Sequence, residues 1–210
     1  MAERIKKNWE INLVLFIGLV LAIVGVVSLF GMKPSTNNAL AAATSVTVTA
    51  TVSEWLSITG STTSVAILPA LVDTSGNLAT GTSQIVTLTC GTNHDDGFSL
   101  TVKSDNAALI YNATSIASHA SGSTTIEIGT DGYGVQASSS DATIDPIYNY
   151  WDNEPLQIVG TASTTAQTLA TNGVPESGQI IDVRFKATTS NQKTAGTYTD
   201  TIDFTLLPAS

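Results

Sequence analysis

The sequence is poor in the groups that most often carry catalysis and cross-linking. Its 210 residues include one cysteine, Cys90, and two histidines, His94 and His119. A single cysteine excludes a disulfide framework within the chain, so packing must hold the fold together. A zinc site needs three or four ligands, and no His-Glu-x-x-His motif is present. Gly-x-Ser-x-Gly and phosphate-loop motifs are absent as well. The sequence therefore predicts a protein that is not an enzyme.

Basic residues are scarce beyond residue 43. Four stand there against fifteen acidic residues, which gives that part of the chain a net charge of −11. Such a charge repels phosphate backbones and anionic lipid head groups. We therefore expect no nucleic-acid partner, and contact with a membrane only through residues 13–32.

The one long apolar run is Leu13–Met32, twenty residues without a charge. A helix of this length could cross a bilayer core of roughly 30 Å. Arg4, Lys6 and Lys7 precede it, and this asymmetry keeps the N-terminus in the cytoplasm. The remainder is therefore expected to be exported, to the extracellular space or the cell surface.

Two fates of this leader remain open. Ala39–Ala43 offers small-residue cleavage sites, which favours a signal peptide cut near Ala43. The apolar run is longer than an ordinary secretory core, which favours a retained anchor. In both cases residues 1–43 are the leader with its polar spacer, and residues 44–210 form one exported domain.

Apolar and hydroxyl residues alternate through much of residues 44–210. In Ser45–Val52, for example, Val46, Val48, Ala50 and Val52 share one face. About nine or ten such strands occur at short spacing, a pattern typical of an antiparallel β-sandwich, Ig-like or jelly-roll-like. The clearest predicted strands are 45–52, 55–58, 65–68, 84–90, 98–102, 124–128, 133–137, 179–187 and 198–206. Residues 124–128 and 133–137 read as a hairpin, and 162–170 as a short helix or a loop.

Aromatic side chains crowd the longest irregular segment, 138–155. Tyr148, Tyr150 and Trp151 stand close together there, beside amides and carboxylates. Such rings can cover a core, contact another protein or stack on sugar rings. All three interpretations remain open, and these residues are the candidate ligand contacts.

Acidic side chains and one amide gather in two loops, a set that consists of Asp95, Asp96, Asp141, Asp145, Asp152, Asn153 and Glu154. Calcium binds six to eight oxygen ligands, which loops of this kind can supply. The spacing matches no Asp-x-Asp-x-Asp-Gly loop, however. We therefore expect solvated acidic loops and no cofactor, with calcium as the weaker alternative.

Two aromatic-x-Leu segments resemble the paired motifs of a known family. Phe98-Ser99-Leu100 follows Gly97 directly. Phe204-Thr205-Leu206 comes shortly after the lead-in Gly-Thr-Tyr-Thr-Asp-Thr, residues 196–201. Bacterial WxL-type surface domains carry Trp-x-Leu at both places, so this chain has phenylalanine where that family has tryptophan. The lead-in also resembles the last strand of spore-coat-U-like and fimbrial subunits. The resemblance implies an exported β-sandwich that attaches to the cell wall or builds surface assemblies.

These observations favour a non-enzymatic structural protein of the cell surface, either a wall-associated module or an assembly subunit. Its expected partners are a cell-wall polymer, another surface protein or further copies of itself. One alternative is a carbohydrate- or peptidoglycan-binding module that uses the aromatic loop. Another is a filament subunit that donates Ser45–Val52 as a strand to its neighbour. That strand could equally pair within its own domain.

Overall fold

All regular secondary structure in the described residues, 47–152 and 157–210 of a computed structural model, is β-structure. Within these ranges no helix is long and apolar enough to cross a membrane. The predicted leader 1–43, with its apolar run 13–32, lies outside the described residues. The strands in the described residues are β1 Leu56–Gly60, β2 Ile67–Leu68, β3 Gly81–Ser83, β4 Val86–Thr92, β5 Phe98–Ser104, β6 Ala108–Tyr111, β7 Thr114–Ala117, β8 Ser123–Thr125, β9 Gly132–Ser138, β10 Thr143–Ile144, β11 Ile158–Gly160, β12 Gln167–Asn172, β13 Glu176–Thr188 and β14 Ile202–Pro208.

The strands form antiparallel sheets. The larger sheet has the order β1-β4-β13-β9-β11-β8, with β2 and β3 attached beside β13. The smaller sheet has the order β10-β12-β5-β14, and β6 and β7 form a separate pair. Both larger sheets contribute side chains to one hydrophobic core, and Thr51–Ser210 form one compact unit.

Alternating burial in the central strands confirms the inward faces that the sequence predicts. In β5, Phe98 and Leu100 are completely buried and Val102 nearly so. In β13, Ile181 and Val183 are completely buried. A strand buried on one face has this period of two because successive side chains point to opposite sides.

Three predictions about local structure are wrong. Thr47–Val52, the described part of the predicted strand 45–52, is exposed and belongs to no strand. An alternating sequence forms a strand only beside a partner, and this segment has none among the described residues. Residues 162–170 include the start of β12, where a register shift between Thr168 and Ala170 buries two successive residues and hides the alternation.

The predicted hairpin of 124–128 and 133–137 is the third wrong prediction. β8 and β9 do not pair with each other, because β11 lies between them and pairs with both. Gly134 and Gly160 allow this close approach, since a Cβ on either residue would overlap neighbouring atoms. The position of β11 between β8 and β9 depends on pairing between segments distant in sequence, so no local pattern of residues predicts it.

Candidate functional site

A groove opens between the two main sheets where each ends in a free strand. β1 is the last strand of the larger sheet and β14 the last strand of the smaller one. The groove has a volume of about 1230 Å³ and is lined from both sides. It is larger than the 300–1,000 Å³ typical of small-molecule pockets.

The β1 side of the groove exposes apolar side chains that face the interior. Ile58 lies opposite the buried Cys90 and Leu56 opposite the buried Thr92, so all four point to the same side of the sheet. Yet Leu56 is 43% exposed and Ile58 is 37% exposed. β14 of the smaller sheet approaches β1, but it leaves these two side chains partly open to solvent.

The β14 side also has inward-facing apolar side chains that are only partly buried. Phe204 lies opposite Val102, and Leu206 opposite Leu100, so these pairs share the inward face. The β5 members are buried, whereas Phe204 and Leu206 remain partly exposed. The last strand therefore has an apolar inward face with one side open to solvent.

The floor of the groove is apolar and well packed. Tyr133 stacks on Phe185 with ring centroids 6.5 Å apart. Burial, followed by the nearby Asp200 carboxylate, raises the pKa of Tyr133, so the phenol stays neutral. The other buried apolar residues that line the groove are Val86, Leu88, Leu109 and Ile116.

The loop between β13 and β14 forms one end of the groove and is held at two points. Tyr198 packs on Tyr111 with centroids 5.6 Å apart, and its hydroxyl donates to the Thr194 carbonyl at 2.8 Å. Lys193 forms an ion pair with Asp131 and donates to the Ser115 carbonyl at 2.7 Å. These contacts fix the shape of this end of the groove.

The contact between Asp131 and Lys193 also affects the pKa of the Asp131 carboxyl group. Partial burial acts to raise it, but hydrogen bonds from Lys193, Thr189 and Ser190 outweigh burial and lower the pKa below its ordinary value of 3.8. The carboxylate is therefore charged at neutral pH and holds the loop through Lys193.

The three candidate aromatic residues of the loop have different surroundings. Tyr148 is completely buried and donates from its hydroxyl to the Thr161 carbonyl at 3.1 Å, so it presents no ring face to the surface. Tyr150 is partly exposed, with its hydroxyl 3.0 Å from that of Ser123. The guanidinium of Arg184 lies 4.2 Å from the centre of the Trp151 ring, a cation–π contact that covers it.

The acidic loops are the candidate calcium ligands of the sequence. Among the described residues, no group of three or more His, Cys, Asp or Glu side chains is placed to hold a metal ion. Asp145 instead accepts the Ile147 amide at 3.0 Å, which is a local turn contact. Asn153 and Glu154 lie outside the described residues.

The two Phe-x-Leu motifs lie side by side on β5 and β14. Leu100 is directly opposite Leu206, while Phe98 is opposite Pro208. Phe98 and Leu100 of the first motif are completely buried, whereas Phe204 of the second motif lines the groove. The structure thus gives the two motifs different surroundings, although their sequences are alike.

Sequence reasoning did not identify the groove. The sequence places Ile58 and Ile202 in predicted strands. Only the strand order of the structure shows that both strands, β1 and β14, lie at the edges of their sheets. Comparison with protein-family models, curated proteins and solved structures finds no match to this chain.

Proposed function

We propose that this chain is an exported, non-enzymatic structural protein that assembles with further copies of itself at the cell surface. Its two facing sheets are interpreted as a β-sandwich, and residues 1–43 as the leader that exports it. Association with a cell-wall polymer is compatible with this role.

The open side of the two sheets carries the proposal. Two edge strands present inward-facing apolar residues to water, and the groove between them reaches the core floor. Exposed sheet edges are templates for pairing with another chain, and proteins that remain monomeric usually block them with charges or bulges. The inward faces of β1 and β14 carry no charge. An apolar partner that covers this side would complete the core.

Self-association is the direct test. Sedimentation velocity of the whole chain in mild detergent, over a wide range of protein concentration, should show larger species at high concentration. Added salt should promote them, because copies with excess negative charge repel each other and salt at 0.1 M screens charges beyond about 10 Å.

A matched pair of variants locates the contact. Ile58→Asp places a charge in the groove, whereas Ile128→Asp places one at an isoleucine that is 59% exposed and lies outside it. We expect the first to weaken assembly and the second to leave it unchanged. A chain that stays monomeric at every concentration and salt level would contradict the proposal.

A further inference from the structure

We propose that Asn172 is a site of spontaneous deamidation, a covalent modification that the folded domain performs on itself without an enzyme. The site is the dipeptide Asn172-Gly173, at the junction between the end of β12 and the short connection 173–175 that leads to β13. Neither residue is among the described residues that line the groove, so the inference stands apart from the proposed self-assembly.

The sequence singles out this asparagine. Asn172 is the one asparagine of the chain that is followed by glycine. In deamidation the backbone nitrogen of the following residue attacks the carboxamide carbon of asparagine and closes a five-membered ring. A side chain on the following residue hinders this attack, whereas glycine has no Cβ and the widest freedom of φ. Gly173 is therefore the least hindered nucleophile of this type in the chain.

The connection after β12 leaves room for the ring to close. Gly173 lies just beyond Asn172, which is the last residue of β12 that pairs with β5. Gly173 and Val174 are exposed, and a Cβ on Gly173 would meet no atom of the described residues within 4 Å. The Gly173 nitrogen can therefore approach the Asn172 side chain without a clash with neighbouring elements.

The hydrogen bonds of the Asn172 carboxamide also suit the reaction. The Val174 amide donates to Oδ1 at 3.3 Å, and Oδ1 is the atom on which negative charge develops when Gly173 attacks. A donor placed where charge develops stabilises such an intermediate. Nδ2 donates to Gln179 Oε1 at 3.4 Å, which is longer than an ordinary hydrogen bond and holds the leaving nitrogen weakly.

The reaction balances with water as its one co-reactant. The bond between the Gly173 nitrogen and Asn172 Cγ forms, the Cγ–Nδ2 bond breaks, and ammonia leaves with the proton of the Gly173 amide. Water then opens the ring at one of its two carbonyl carbons. Attack at Cγ gives aspartate, and attack at the main-chain carbon gives isoaspartate, in which the main chain runs through Cγ.

The isoaspartate product would disturb a tightly packed part of the smaller sheet. Asn172 is paired with the completely buried Phe98, and its main-chain carbonyl lies so close to Gly97 that a Cβ there would overlap it. In isoaspartate this carbonyl becomes a free carboxylate and the backbone gains one carbon. The isoaspartate form should therefore have a lower Tm than the variant Asn172→Asp, which adds the charge without the extra carbon.

The test incubates the whole chain in mild detergent and oxygen-18 water at mildly alkaline pH. Ring opening adds one labelled oxygen, so peptide mass spectrometry should find the label at Asn172 before it appears at any other asparagine. Gly173→Ala should slow this labelling about tenfold or more, because the added Cβ hinders the attack. The variant should still fold, since that Cβ meets open space, and circular dichroism checks it.

A second pair of variants tests the contact with the Val174 amide. Val174→Pro removes the donating N–H, whereas Val174→Ala keeps it. We expect labelling of Asn172 to be at least about threefold slower in the proline variant than in the alanine variant. Equal rates in the two variants would show that this amide does not activate the carboxamide.

The same labelling in urea supplies the result that would overturn the proposal. If Asn172 takes up the label in the unfolded chain but stays unlabelled in the folded chain, the fold protects the dipeptide and the proposal is wrong. Labelling of the folded chain at Asn172, slowed by Gly173→Ala, supports it whether or not the chain assembles.

Discussion

The groove predicts that two phenylalanines in equivalent motifs respond differently to the same substitution. Phe98 is completely buried, so Phe98→Ala should lower the free energy of unfolding by about 3–5 kcal/mol at every protein concentration. Phe204 is partly exposed at the groove, so in the monomer Phe204→Ala should cost less, about 1–2 kcal/mol. When a second copy covers the groove, the remaining area of Phe204 also leaves water, and its cost should rise.

Urea denaturation followed by intrinsic fluorescence or circular dichroism measures both costs. The chain is held in mild detergent because of the apolar run 13–32, first at concentrations where it is monomeric and then where it assembles. The difference between the two variants should narrow as concentration rises. Equal costs at the lowest concentration would refute the reasoning, because they would mean that the β14 side is already closed in a single chain.

Three further predictions concern other parts of the domain. Burial raises the pKa of the Cys90 thiol to about 11, so iodoacetamide at pH 8 should modify it only when denaturant is present; rapid labelling of the native protein would contradict its burial. Gly97 has a φ of 75° and a Cβ there would overlap the Asn172 carbonyl, so Gly97→Ala should cost about 3 kcal/mol or more by thermal denaturation. The control Gly173→Ala, which meets open space, should change little. The lowered pKa of Asp131 means that its ion pair with Lys193 stabilises the fold above the ordinary value of 3.8 and is lost as pH falls through the lower folded pKa. The Tm difference between the unaltered chain and Asp131→Asn should therefore be constant from about pH 5 to 8 and vanish in stronger acid; a difference that persists there would exclude the ion pair as its cause.

The all-β, antiparallel character of the fold was predictable because it depends on local periodicity. Phe98, Leu100 and Val102 alternate with polar residues, and so do Ile181 and Val183, which the structure confirms as inward positions. Each of these strands is long enough for the period of two to stand out. The two- and three-residue strands, such as β2 and β11, are too short to produce a pattern, and for that reason the described residues contain fourteen strands where nine or ten were expected.

Strand order was not predictable, and the groove depends on it. β11 lies between β8 and β9 although it is distant from them in sequence. β1 is an edge strand because it pairs only with β4, and β14 is an edge strand because it pairs only with β5. Long-range pairing of this kind is set by packing of the whole domain. The exposure of Ile58 and Phe204 follows from that order and not from their neighbours in sequence.

The aromatic loop illustrates the same limit. Tyr148 and Trp151 stand three residues apart, yet one is fully buried and the other lies under the Arg184 guanidinium. Composition could suggest a ligand platform there, a lid or a protein contact, but only tertiary contacts assign each ring its place.

Hydrogen–deuterium exchange of β14 tests the central claim most directly. Amide exchange in Ile202–Pro208 is compared between dilute monomer and assembled protein, with the central strand β13 as the internal reference. If a second copy covers the open side, β14 should become strongly protected on assembly while the reference strand changes little. Equal exchange of β14 in both states, with assembly present, would contradict the account.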